Sequence, residues 1–132
     1  MQESFEFETR KGEMYDITAK VEEIVESSGV REGIVNVFAP HATGVLFIGE
    51  FEPNLCEDYR KLLSDVVRED EGWKHNLIDD NATAHLRSAL VGCSLSIPVR
   101  DSKMLLGTWQ RIIFFENDRN RIRRIVVTVV GD

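Results

Sequence analysis

The sequence predicts a single α+β domain, residues 1–132, and three observations carry that prediction. Near the N-terminus, Ser4 to Thr9 alternates polar and apolar residues, the period of a strand. In the middle, apolar residues recur three and four apart, as amphipathic helices require. The last third is β-branched and shows no helical spacing. A chain of 132 residues is long enough to bury one core of its own.

Ser4–Thr9 predicts a strand with Phe5 and Phe7 on one face, and Lys11–Gly12–Glu13 a turn before a short strand over Met14–Ile17. Ile17, Val21, Ile24 and Val25 then fall on one side of a helix, with Thr18 as its cap and Gly29 as its stop. Ile34–Ala39 and Val45–Ile48 read as strands joined by a hairpin through His41–Gly44. A second helix starts near Pro53 or Asn54, with Leu55, Tyr59, Leu62, Leu63, Val66 and Val67 on its apolar face. Glu69–Asp80 reads as a long polar loop, and Asn81 as the cap of a short helix that Gly92 ends. Ser94–Val99, Met104–Phe115 and Ile122–Val130 complete the chain as a C-terminal β-meander, with turns at Asp101–Lys103 and Asn117–Asn120. Gly107 interrupts the long middle strand.

Hydrophobic residues make up 42% of the chain and charged residues 30%, which excludes disorder as the main state. The formal charge of −7 disfavours nucleic acid and anionic membrane as partners, so an anionic ligand needs a local positive site. Cys56 and Cys93 are too few for a disulfide framework. Met1–Arg10 lacks the apolar centre of a signal peptide, and no apolar run is long enough to span a bilayer, so a cytoplasmic protein is expected.

Three histidines, His41, His75 and His85, fall between the two β-rich parts. Three imidazoles are the minimum protein shell of a catalytic zinc site, although their spacing is no local motif and equally suits three unrelated surface histidines. Glu50, Asp58 and Asp79–Asp80 are carboxylates that could hold Mg²⁺, or belong to a solvated helix face and a helix start. Trp109 and Gln110, after Gly107–Thr108, offer a stacking plane and a hydrogen-bonding group, or mark a bulge beside a core tryptophan. Trp73 reads as a pocket wall or a loop anchor. The basic run Arg119, Arg121, Arg123 and Arg124 reads as a phosphate site, a solvated edge or a subunit contact, with the last two favoured.

Together these segments resemble the YjbQ-like, or secondary thiamine-phosphate synthase, family over almost the whole chain. The resemblance is carried by Pro40–His41–Ala42–Thr43, Glu50, Asn54, Asp58, His75–Asn76, Asn81–Ala82, Ala84–His85, Gly92, Leu106–Gln110, Glu116 and the tail Arg121–Gly131. It implies an antiparallel β-sandwich with two to three helices, assembled as a homotrimer. It also implies a pocket lined by His41, His75 and His85 that takes an ion or a small anionic, phosphorylated ligand. The implied activity joins a hydroxymethylpyrimidine diphosphate to a thiazole phosphate with release of pyrophosphate, as a main or a side reaction. In that reading His41, Glu50, Asp58, His75 and His85 are catalytic, and Thr43, Asn76, Asn81, Thr108, Trp109 and Gln110 bind substrate. The cofactor is a divalent metal: Mg²⁺, or Zn²⁺ on His41, His75 and His85. The alternatives are a three-histidine zinc hydrolase, with Glu50 as its general base, and a non-enzymatic trimer that binds a small ligand or metal. Ala42, the Gly49 and Phe51 that flank Glu50, and Ser102 depart from the family's usual residues.

Overall fold

The computed structural model describes residues 1–132. In chain order the elements are β1 (Gln2–Thr9), β2 (Met14–Asp16), α1 (Thr18–Ser28), β3 (Glu32–Phe38), β4 (Gly44–Gly49), α2 (Pro53–Val66) and a 3₁₀ turn (Lys74–Leu77), then α3 (Ala82–Val91), β5 (Ser94–Arg100), β6 (Lys103–Met104), β7 (Arg111–Glu116) and β8 (Arg121–Gly131). They build two antiparallel sheets, one of five strands in the order β1-β8-β3-β5-β6 and one of three in the order β2-β7-β4. This is the expected α+β class.

Sequence periodicity decides which faces meet. On β8 every second residue, Arg123, Ile125, Val127 and Val129, is buried. Ile125, Val127 and Val129 join Val35, Val37, Ile97 and Val99 of the same sheet, and Ile17, Val21, Ile24 and Val25 of and beside α1. Leu46, Ile112 and Phe114 of the small sheet close this core from the other side. The alternate residues of the small sheet, Val45, Ile113 and Phe115, pack with Met14 against Cys56 and Leu63 of α2. The small sheet is therefore covered on both faces, which is why β7 reads Ile–Ile–Phe–Phe without alternation.

That double burial overturns the expected C-terminal meander. β6 pairs with β5 in the large sheet, whereas β7 lies in the small one. Met104–Phe115 is therefore two strands separated by the loop 105–110. Asn117–Asn120 is likewise a crossing between sheets, not a hairpin turn. The expected hairpin through His41–Gly44 is also absent, because β3 and β4 belong to different sheets. Pro40 has no N–H to extend the β3 ladder. β4 instead pairs with β7 from Gly44 opposite Glu116 onward. A Cβ at Gly44 would stand 2.6 Å from the Phe114 ring, so only glycine lets β4 cross there.

The helix expectations divide. Gly29 ends α1 in the left-handed conformation, φ 74°. Thr18 does not cap it. Asp16 accepts from the Thr18 N–H at 3.0 Å, and the Thr18 hydroxyl accepts from the Ile112 N–H at 2.8 Å, stitching the helix start to β7. Glu52 caps α2 by accepting from the Asn54 and Leu55 N–H groups. On α2 only Cys56 and Leu63 are buried, while Leu62 and Val66 face outward.

Replacing Arg123 with alanine strands the Glu116 carboxylate in the core. The expected loss is about 3–5 kcal/mol, against a change within about 0.5 kcal/mol for exposed Arg124→Ala. Denaturant unfolding of the two variants checks this, and equal small losses would contradict it.

Candidate functional site

At one end of the sandwich the inward-facing positions stop being apolar. Phe7 and Phe114 meet edge to face at 5.6 Å. Beyond them stand Thr9, Glu116 and Arg123, of which Glu116 is 0% and Arg123 3% exposed. The Arg123 guanidinium forks onto Glu116, with Nε donating to Oε1 at 2.6 Å and Nη2 to Oε2. The Thr9 hydroxyl donates to Oε1 at 2.6 Å, and the Asp118 N–H to Oε2 at 3.2 Å. Arg123 Nη2 also donates to the Thr43 hydroxyl at 3.0 Å, and Asn117 Nδ2 to the Thr43 carbonyl at 2.6 Å. Thr43 thus braces the ion pair.

Asp118 is the next link. Its Oδ2 accepts from Arg121 Nη2 at 2.8 Å and Nε at 3.2 Å, and from Asn81 Nδ2 at 3.3 Å. Arg119 Nε donates to its Oδ1 at 3.4 Å. Burial pushes the Asp118 carboxyl up, but the bonds from Arg121 and Asn81 and the Arg121 charge outweigh it and hold it below the ordinary aspartate range.

Asn81 stands at the start of α3 but makes no capping bond. Asn76 supplies it instead, its Oδ1 accepting from the Ala82 N–H at 3.1 Å. The Asn81 side chain is thereby free to turn inward, and its Oδ1 lies 3.2 Å from His75 Nε2. His75 sits on the 3₁₀ turn and His85 one turn into α3. Their rings meet edge to face with centroids 4.7 Å apart. Trp73 is a loop anchor, its Nε1 donating to the Arg68 carbonyl at 2.7 Å. Asp79 and Asp80 both face Arg119, at 3.4 and 3.1 Å. A polar cavity of about 90 Å³ lies here, with Lys11, Asp80, Asn81, Asp118 and Arg119 in its wall.

His41 touches the same network from the other side. His41 Nε2 lies 2.9 Å from the Arg124 nitrogen and 3.1 Å from the Arg124 carbonyl oxygen. The ring takes the place that Pro40 cannot fill beside β8. Burial lowers the His41 pKa, and the Arg123 charge lowers it further. Its Nε2 is committed to the main chain, and no group of three or more His, Cys, Asp or Glu side chains in the chain is placed to hold a metal ion.

The remaining candidates lie elsewhere. β4 and β7 run from Gly44 opposite Glu116 to Gly49 opposite Arg111. Six residues of strand put these ends about 17 Å apart. Glu50, Thr108, Trp109 and Gln110 are at the far end. Trp109 is 70% exposed. Gln110 spends its side chain on its own loop, accepting from the Gly107 N–H at 2.8 Å. Asp58 is exposed on α2. The structure thus brings together His75, His85, Asn76 and Asn81, sets His41 and Thr43 against their supporting network, and separates Glu50, Asp58 and Thr108–Gln110 from them within one chain.

Sequence reasoning missed Glu116, Arg123, Asp118 and Arg121 as site residues. The signal for Arg123 was present: it shares the period-two face of Ile125, Val127 and Val129. The basic run is not one surface. Arg123 is buried, Arg119 and Arg121 hold Asp118, and the Arg124 side chain is exposed.

The fold and site define a small α+β protein with two antiparallel sheets and a histidine–asparagine–aspartate cluster at one end. The model of the family described as UPF0047 protein YjbQ-like matches residues 3–132, and the chain belongs to that family. A UPF0047 protein of Methanothermobacter thermautotrophicus is 47% identical over 123 residues, covering 93% of this chain and 86% of that protein. UPF0047 protein YugU of Bacillus subtilis is 32% identical, covering 93% of each. The crystal structure of a YbjQ-like protein of unknown function from Sulfolobus solfataricus superposes with a TM-score of 0.93 at 38% identity, covering 100% of this chain and 99% of that one.

The lowered His41 pKa has a signed consequence. The fold refuses a proton that the unfolded ring takes up below about pH 6.5, so His41 costs stability as pH falls. Between pH 8 and pH 5 the thermal midpoint of the wild type should fall further than that of His41→Gln. Parallel curves would contradict it.

Proposed function

We propose that this chain is an enzyme acting on a small phosphorylated ligand, in a reaction of the secondary thiamine-phosphate synthase type. The observation that supports it best is the His75–His85 pair, held edge to face beside a cluster containing Asn81, Asp118 and Arg119. In such a reaction the bond from the pyrimidine methylene carbon to the diphosphate oxygen breaks, and pyrophosphate leaves with the electron pair. The thiazole nitrogen then forms the new C–N bond to the cationic carbon. His85 would donate a hydrogen bond or a proton to the leaving oxygens, and His75, through its lone-pair nitrogen, would accept one from a protonated phosphate oxygen. Asn76 and Asn81 order that pair. His41 and Thr43 hold the support beneath it. A divalent cation arriving with the diphosphate would supply charge neutralisation.

Glu50, Asp58, Thr108, Trp109 and Gln110 cannot reach a ligand at this end of their own chain. The proposed homotrimer would resolve this if its head-to-tail ring set one chain's Trp109 end beside the next chain's histidines. The outward apolar residues of α2 and α3, Leu62, Val66, Leu86, Leu90 and Val91, suit contacts between copies. In a zinc hydrolase on His41, His75 and His85, the contact of His41 Nε2 with Arg124 would leave Nδ1 as the nitrogen that holds the metal. A non-enzymatic binder would use the same pocket without turnover.

Pyrophosphate release from the two phosphorylated substrates with Mg²⁺ tests the reading. The wild type should turn over, and a His75→Ala, His85→Ala double variant should lose about 100-fold or more in kcat. Trp109→Ala chains co-refolded with the double variant should recover part of the loss of each. Substrate binding without turnover in the wild type would establish the non-enzymatic reading. Stoichiometric zinc that is lost when His41, His75 and His85 become alanine would establish a three-histidine zinc site and turn the search to metal-assisted hydrolysis.

A further inference from the structure

We propose that Asp118 is a positioning residue for His75: acting through Asn81, it fixes the neutral His75 ring as the Nε2–H tautomer and leaves Nδ1 as the lone-pair nitrogen that meets the ligand. The inference rests on the reading above only for the statement that a ligand binds there. Asp118 Oδ2 takes two N–H bonds from Arg121, at 2.8 and 3.2 Å, and an ionised carboxylate accepts and never donates. The Asn81 atom that faces it at 3.3 Å must then be the amide nitrogen. The other end of that amide is a carbonyl oxygen, which also only accepts. The His75 nitrogen 3.2 Å from it is therefore the one that carries the proton. A neutral imidazole has a single N–H, so His75 Nδ1 is left with its lone pair.

Two further features keep this order from reversing. Asn81 is 8% and Asp118 5% exposed, so water competes little for the relay. The helix N-terminus, which would otherwise draw the Asn81 oxygen toward the backbone, is already capped by Asn76. The relay has the logic of the partners that orient metal-bound or catalytic imidazoles, in which the hydrogen bond at one ring nitrogen decides what the other can do. It also specifies the ligand. An atom meeting Nδ1 of the neutral ring must bring a proton or an empty orbital. A hydroxyl or a monoprotonated phosphate oxygen qualifies, and a fully ionised phosphate oxygen does not. His41 has no such relay: its Nε2 lies 2.9 Å from the Arg124 nitrogen and 3.1 Å from the Arg124 carbonyl oxygen, so its neighbours do not select one tautomer.

Long-range ¹H–¹⁵N correlation of the imidazoles tests this without substrate, so it is decided even for a chain with no synthase turnover. Near pH 8, above the ordinary histidine pKa of about 6.5, His75 should appear as the Nε2–H tautomer. In Asp118→Ala the Asn81 amide loses the acceptor that orients it and can turn over, so His75 should move toward Nδ1–H, whereas Asp118→Asn keeps an oxygen facing Arg121 and Asn81 and should leave His75 as Nε2–H. Asp79→Asn removes a neighbouring carboxylate outside the relay and should leave His75 unchanged. His75 found as Nδ1–H in the wild type, or unmoved in Asp118→Ala, overturns the proposal. Should Asp118→Ala not fold, the wild-type tautomer alone decides.

Discussion

Glu116 and Arg123 face each other across the two sheets, the first at the end of β7 and the second near the start of β8, and neither is exposed enough for water to solvate its charge. A buried charge that loses its partner is far costlier than a pair, so this contact constrains everything that surrounds it. It holds the ends of both sheets in register. It requires Thr9 and the Asp118 N–H to complete the carboxylate's bonds, and Thr43 to take a further guanidinium proton. The crossing Asn117–Asn120 is therefore shaped by its buried contacts, not by turn chemistry alone. Asp118 leaves that crossing already aimed at Asn81.

Chemistry at this end follows from packing elsewhere. β7 can bury four consecutive apolar residues only by lying between the large sheet and α2. That position obliges the chain to change sheets on both sides of β7. The second change, just after Glu116, is where the polar cluster forms. The first, over residues 105–110, leaves Trp109 exposed about 17 Å away. One chain thus presents two polar ends with different side chains. A ligand held by His75 and His85 meets Trp109 only if another copy supplies it.

Much of the fold was legible in the residues, because periodicity is a local property. Phe5 and Phe7, the α1 stripe and the β8 alternation all lie where their spacing puts them. Sheet membership was not legible. Nothing local in Val45–Ile48 or Ile112–Phe115 states which strand will pair with it, and an apolar run fits a meander as well as a strand covered on both faces. The histidines were found by residue type, but their unequal roles were not. Asn81 shows why: its sequence position reads as a helix cap, and only the tertiary structure reveals that Asn76 caps the helix and frees Asn81 for His75. Arg123 was hidden among three neighbouring arginines, although its parity with Ile125 marked it as inward-facing.

The central claim is that ligand chemistry belongs to the end of the sandwich where β7 and β8 change sheets. Titrating ¹⁵N-labelled protein with inorganic pyrophosphate, and following every assigned amide and imidazole signal, tests it most directly. The account predicts saturable shifts at His75, His85, Asn76 and Asn81, with any change at Trp109 saturating at the same concentration. Shifts confined to the Glu50 and Trp109 end, with the histidine signals still, would contradict it.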